Sequence, residues 1–210
     1  MHGRSVATLP FVATLLWING PNAVGKTQVA FSLARRLPGS FVSDPEHLGF
    51  AMRRMLPKAR RVDFREIPLW RHGAGAMLAR ALAGDEDPVI VPMTVVDVGQ
   101  LAELTAPARD AGHRVQHVTL LASPATMRRR IQRRGETSRG FSARQVDHSL
   151  AVLRGEGFAR HLDTDDLTIA QVADDIAHGA GFTPRPETDG LLARRARQLT
   201  VQLRHIRVNP

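Results

Sequence analysis

Short apolar runs alternate with segments of helical spacing along the chain. "ATLLWI" (13–18) has the length and content of a buried strand. In "KTQVAFSLARRL" (26–37), Val29, Ala30, Leu33 and Leu37 recur at helical steps, and Pro38-Gly39 gives a stop. "SFVSD" (40–44) reads as a short second strand, and "PEHLGFAMRRML" (45–56) as a helix opening on Pro45. "LWRHGAGAMLARALAG" (69–84) is a further helix, ended by Gly84. "PVIVPMTVV" (88–96) is almost wholly apolar, as a strand buried on both faces should be. Pro92 inside it lacks a ladder donor, so the chain should leave the sheet near Met93 and Thr94.

The second half continues the alternation. "VGQLAELTAPARDAG" (98–112) reads as a helix interrupted or ended near Pro107, and "RVQHVTLLAS" (114–123) as a fourth strand. "PATMRRRIQRRG" (124–135) and "ARQVDHSLAVLRG" (143–155) are helices. "HLDTDDLT" (161–168) holds a short fifth strand, and Thr168 can cap the helix "IAQVADDIAHGA". A Pro- and Gly-rich loop (179–190) precedes a last basic helix (191–206). There is no internal repeat. Apolar strands alternating with helices predict an α/β fold of three layers, a five-stranded parallel sheet covered on both faces.

Length narrows this little: 210 residues, 43% hydrophobic, suit one domain over residues 1–210. Arg4 before "FVATLLWI" resembles a leader, but no small-residue cleavage site follows, so the run reads as a strand. No run reaches the roughly 18 apolar residues of a membrane span. The absence of cysteine excludes disulfides and thiolate metal sites and agrees with a cytoplasmic setting. A formal charge of +9 favours phosphorylated partners, although an arginine-biased composition would give the same excess. Nucleic acid is disfavoured as a partner, because there is no Tyr and aromatics make up only 5%.

Gly20-Pro-Asn-Ala-Val-Gly25-Lys26-Thr27 changes the picture most. It matches G-x-x-x-x-G-K-[ST] between an apolar strand and an amphipathic helix. Glycine lets backbone N–H groups turn toward an anion, and the helix directs its positive end at the same point. The loop residues Gly20, Asn22, Ala23, Val24 and Gly25, with Lys26, Thr27 and Gln28, are therefore the expected ATP site. Lys26 would bridge the terminal phosphates and Thr27 would meet Mg²⁺. No acid lies inside "VIVPMTVV", and no guanine-specificity motif such as N-K-x-D occurs, which weakens a motor or GTPase reading.

An acid does follow the second strand: Asp44, with Glu46 as the nearby alternative. Ligands of parallel sheets lie beyond the strand carboxyl ends, so Asp44 would face the glycine loop's crevice. It either takes a proton from a substrate hydroxyl or caps the helix ahead of Pro45. Arg130 and Arg134 are four apart on a helix and share a face. They fit an arginine-rich lid over the transferred phosphate (about 128–145), with Gly135 and Gly140 as hinges, or else a solvated basic face. In the tail, Leu192, Ala196, Leu199, Leu203 and Ile206 make an apolar stripe with a basic rim. That helix (about 190–206) either packs on the domain or touches a membrane surface peripherally.

"WING", "GKTQ", "DPEHLGFAMRRMLP", "PLWR" and "VPMTVV" together resemble the tunicamycin-resistance ATP-binding proteins, the TmrB type, in the nucleoside-kinase-like branch of P-loop proteins. The likeness runs from about residue 15 to 207. It implies ATP, Mg²⁺ and a tunicamycin-like nucleoside antibiotic as partner, either phosphorylated on a hydroxyl or bound and sequestered. Gly25, Lys26 and Thr27 match the phosphate site, Asp44 the family's acid, and Arg130 and Arg134 its two later arginines. Arg53, Trp70 and Arg71 lie in matching stretches and, with Asp44, Glu46, Phe50 and Thr94, make the expected acceptor side. Trp70 either stacks on a base or fills core. Asp97 departs from the family's pattern and is given no role. The oligomeric state stays open.

Overall fold

The computed structural model describes residues 12–133, 141–188, 190 and 200. Its strands are β1 (Thr14–Asn19), β2 (Phe41–Val42), β3 (Val89–Pro92), β4 (Arg114–Leu121) and β5 (His161–Asp163). They form one five-stranded sheet in the order β2-β3-β1-β4-β5, and every pairing is parallel. Between them run α1 (Lys26–Arg36), α2 (Glu46–Met55), α3 (Pro68–Leu82), α4 (Val98–Asp110), α5 (Pro124–Arg133), α6 (Phe141–Leu153) and α7 (Ile169–Gly179). Among the described residues no helix is long and apolar enough to cross a membrane.

Successive strand side chains point to opposite faces, so a central strand must be apolar throughout to bury both. β1 does this. Leu16 and Ile18 join Val29 and Leu33 of α1 and Val172 and Ile176 of α7 in one core. Leu15 and Trp17 join Trp70 and Leu78 of α3 and Leu104 of α4 in the other. The sheet is thus the middle of three layers. Thr168 caps α7 as expected, in a reciprocal capping box with Gln171.

Two boundaries differ from expectation, those of β2 and α4. β2 is two residues rather than five, because it is an edge strand paired only with β3. β3 stops at Pro92 as expected, because the missing N–H turns the chain out of the sheet there. Beyond it, side chains of β1 replace the ladder: Trp17 Nε1 donates to Met93 O at 3.3 Å, and Asn19 bonds both N and O of Val95. α4 continues through Pro107 instead of ending there. Pro107 packs on the bare Cα of Gly75, where an added Cβ would lie 3.1 Å from its Cγ, so close α3–α4 packing holds the helix through the break. Three short 3-10 turns (Lys58–Arg60, Phe64–Glu66, Glu156–Phe158) were not anticipated.

Candidate active site at the carboxyl edge of the sheet

β1 delivers the chain to Gly20 inside the sheet. Gly20 has φ +140°, and a Cβ there would come within 2.6 Å of the Leu120 carbonyl oxygen. Only glycine fits that approach. Ala23 (φ +66°) and Gly25 (φ +114°) are also left-handed. Changes of backbone hand in such close succession turn N–H groups toward one concavity, which is an anion nest. Gly25 precedes α1 without a side-chain cap, and the first turn carries no acid. The amides and positive end of α1 are therefore available to a phosphate.

Lys26 is only 9% exposed. Its Nζ donates to Gly20 O at 3.0 Å and Pro21 O at 3.1 Å, so the cation is folded across the loop. Thr94 Oγ1 also donates to Gly20 O, at 2.8 Å. Thr94 thus braces the loop from the segment after β3. Thr27 and Gln28 stand half-buried in the first turn of α1, and Asn22 half-buried in the loop. The loop, the uncapped helix end and Lys26 together fit a nucleotide's phosphates, and Thr27 supplies the hydroxyl that a bound Mg²⁺ requires.

Arg130 projects from α5 to this loop. Nη1 donates to Val24 O at 3.0 Å and to Thr164 Oγ1 at 2.9 Å, and Nη2 to Thr164 O at 2.7 Å. It therefore ties the glycine loop to the turn after β5 rather than standing apart as a free lid side chain. The same turn is fixed to β4: the Asp165 carboxylate accepts the Ser123 N–H at 2.9 and 3.1 Å. That bond leads the causes holding the Asp165 carboxyl below its usual value, with Arg130 adding a smaller push. Arg134, Gly135, Gly140 and the C-terminal stripe lie outside the described residues.

Asp44 follows β2 at the same edge of the sheet. Its Oδ1 accepts the Glu46 N–H at 3.0 Å, so it does serve the turn into α2, and Glu46 occupies the first turn of that helix. Trp70 determines where this turn sits. Its Nε1 donates to Pro45 O at 3.0 Å, and its ring meets Phe64 edge-on at 5.0 Å, as Phe64 meets Phe50 at 5.4 Å. Trp70 is 0% exposed, which corrects its placement on the acceptor surface. A fully buried ring with its N–H engaged cannot stack on a base, so of the two alternatives core filling holds. Arg71 is likewise structural: its Nε donates to Glu103 at 2.6 Å and its Nη1 to Arg65 O at 2.9 Å, joining α3 to α4. Arg53 lies half-buried in the last turn of α2. Asp97 caps α4, accepting the Gln100 N–H at 2.7 Å.

Sequence reasoning passed over Asn19. Fully buried at the end of β1, it accepts the N–H of Gly20 at 2.8 Å and of Val95 at 3.0 Å on Oδ1. The signal was a lone amide closing an apolar strand just before the glycine motif. Thr164 and Asp165, the polar pair directly after β5, carried a similar signal.

A family model described as an AAA domain matches residues 15–155. The structure of a Deinococcus radiodurans tunicamycin resistance protein is 37% identical, covers 83% of this chain and 99% of its own, and superposes with a TM-score of 0.70. The chain belongs to the tunicamycin-resistance family. Its kinase-like fold recurs at lower identity. A gluconokinase from Sinorhizobium meliloti 1021 is 20% identical, with 92% of this chain and 99% of that one covered and a TM-score of 0.55. An APS kinase from Mycobacterium tuberculosis is 16% identical over 82% and 99%, at 0.54. No curated protein matches the chain. Family membership and fold together make this a P-loop, nucleotide-binding, kinase-like protein.

Proposed function

We propose that the protein is an ATP-dependent phosphotransferase acting on a hydroxyl of tunicamycin or a related nucleoside antibiotic. The observation that carries this reading is the arrangement of one sheet edge. The glycine loop ends β1, and Asp44 ends the segment after β2, with only β3 between these strands. A phosphate site and a carboxylate would thus share the region beyond the strand ends, where α/β sheets take their ligands. The drug named for the Deinococcus protein supports the choice of acceptor.

Bound ATP and Mg²⁺ would supply the phosphoryl group and the charge that neutralises it. The backbone from Gly20 to Thr27 would hold the phosphates, with the Thr27 hydroxyl toward the metal. Lys26 would exchange its two carbonyl partners for phosphate oxygens and stabilise charge as it spreads during transfer. Asp44 would take the acceptor's hydroxyl proton as the oxygen–phosphorus bond forms and the bond to ADP breaks. Its carboxylate is already oriented by the Glu46 N–H. Arg130 would keep the loop in shape through Val24 and Thr164, and Arg134 would reach the phosphate from the lid. Phe50, Arg53, Glu46 and Thr94 are the remaining candidates for the acceptor side.

A second reading has its own support. Because Asp44 already serves the turn into α2, a protein that binds ATP and sequesters the drug would also need it. Asp44→Asn separates the two, since the amide oxygen can still accept the Glu46 N–H. Transfer predicts that the variant folds and binds ATP yet loses drug modification and protection. Continued protection by the variant would support sequestration.

A further inference from the structure

Asn19 links the start of the phosphate loop to a histidine that the glycine motif does not include. The orientation of the Asn19 amide follows from its partners. Two backbone N–H groups, of Gly20 and Val95, point at one of its atoms, which must be the oxygen. The nitrogen then donates to Val95 O at 2.9 Å, and its other hydrogen is left for His117 Nε2, 3.3 Å away on β4. A ring nitrogen facing an N–H₂ group must accept, so Nε2 carries no proton. The other ring nitrogen fits this tautomer. Nδ1 lies 3.2 Å from Ala159 O, a carbonyl that only accepts, so Nδ1 holds the hydrogen. The network is satisfied by one tautomer of neutral histidine.

We propose that His117 is a positioning residue for nucleotide binding: with Nε2 unprotonated it accepts the Asn19 amide, and that contact holds the start of the phosphate loop in its binding shape. Protonation of Nε2 would set two donors against each other. The ring's remaining acceptor within reach, among the described residues, is Thr119 Oγ1 at 3.5 Å, whose own hydrogen is already given to Phe158 O at 2.7 Å. The charged ring would turn to Thr119 and release Asn19. Gly20 would then lose a fixed partner at the residue whose carbonyl also anchors Lys26 and Thr94.

The surroundings of His117 favour the neutral ring. Burial is the largest cause lowering its pKa below 6.5; the Ala159 contact acts in the opposite sense, and His161 of β5 and Arg109 of α4 lower it further by charge. Arg160, which lines the same small cavity between β4 and α7, is cationic too, though paired with Asp175. Among the described residues no carboxylate is one of the charges acting on the ring. The neutral form is therefore kept at neutral pH, and the hold on the loop is lost only on the acid side of 6.5.

This inference rests on nucleotide binding at the glycine loop and not on phosphoryl transfer. Its test is ATP affinity with Mg²⁺ from pH 8 to pH 5.5, each protein scaled to its own value at pH 8. His117→Gln places an acceptor near Nε2 that takes up no proton. The phosphate's own proton uptake is common to both proteins and cancels in their ratio. Wild-type affinity should fall roughly two- to fourfold more than that of His117→Gln by pH 5.5, the part of one hydrogen bond's worth that a ring titrating below 6.5 can lose there. A second readout needs no variant: the His117 ring titrated by NMR should show a lower pKa with ATP bound, by reciprocity. A pH-independent ratio with an unshifted His117 would overturn the inference alone. Absence of ATP binding by the wild type at pH 8 would overturn the nucleotide reading beneath it.

Discussion

Trp70→Phe tests whether the tryptophan of "PLWR" belongs to the core or to the acceptor surface. The substitution keeps a ring against Phe64 but deletes the N–H that bonds Pro45 O. Pro45 O keeps the Gly49 N–H at 3.4 Å, so losing the second bond costs about 0.5–1.5 kcal/mol. The side chain also loses three heavy atoms at 0% exposure, about 2 kcal/mol at ~0.8 each. Together the loss is about 3–4 kcal/mol, or roughly 10 °C in Tm for a chain of this size. Urea unfolding followed by circular dichroism reads this directly. Because Pro45 O anchors the turn that presents Asp44, turnover should also fall in the folded variant, with ATP affinity retained. Unchanged stability together with weaker drug binding would refute the reasoning and restore Trp70 to the acceptor side.

Two further predictions concern the loop and its neighbours. Gly20→Ala would place a Cβ 2.6 Å from Leu120 O and 2.8 Å from Val24 Cγ1 at φ +140°. It should cost about 2–4 kcal/mol and abolish ATP binding measured by calorimetry; wild-type affinity would contradict the loop geometry. Asp165→Asn should lower stability by about 0.5–1.5 kcal/mol at pH 7, because a charged acceptor of the Ser123 N–H becomes a neutral one. The Asp165 pKa is held below 3.8, so the wild type's advantage is present above that value and lost as pH falls through the folded pKa. Unfolding curves of the two proteins should converge in acid and separate toward pH 7.

The strand–loop–helix unit at the start was legible because its physics is local. An apolar run, a glycine spacing and an amphipathic repeat each specify their own backbone. The five strands and the parallel sheet were legible in the same way, from apolar runs separated by helical ones. Ends were harder. Pro92 marked where β3 stops but not the side-chain pairing by Trp17 and Asn19 beyond it, and α4 survives Pro107 because Gly75 lies against it; both of these depend on residues distant in sequence. The same limit applies to the site. Lys26 and Thr27 are named by a motif, whereas Trp70 reads alike as core or platform until its N–H is seen on Pro45. Asn19 and His117 are 98 residues apart, and no pattern along the chain joins them.

The central claim is that the phosphate held by the glycine loop moves to the drug. Mass spectrometry of tunicamycin after incubation with the protein, ATP and Mg²⁺ tests it most directly. The account predicts a product heavier by one phosphoryl group, formed by the wild type and not by Lys26→Met or Asp44→Asn. Recovery of unaltered drug from protein that has bound both ATP and tunicamycin would contradict it.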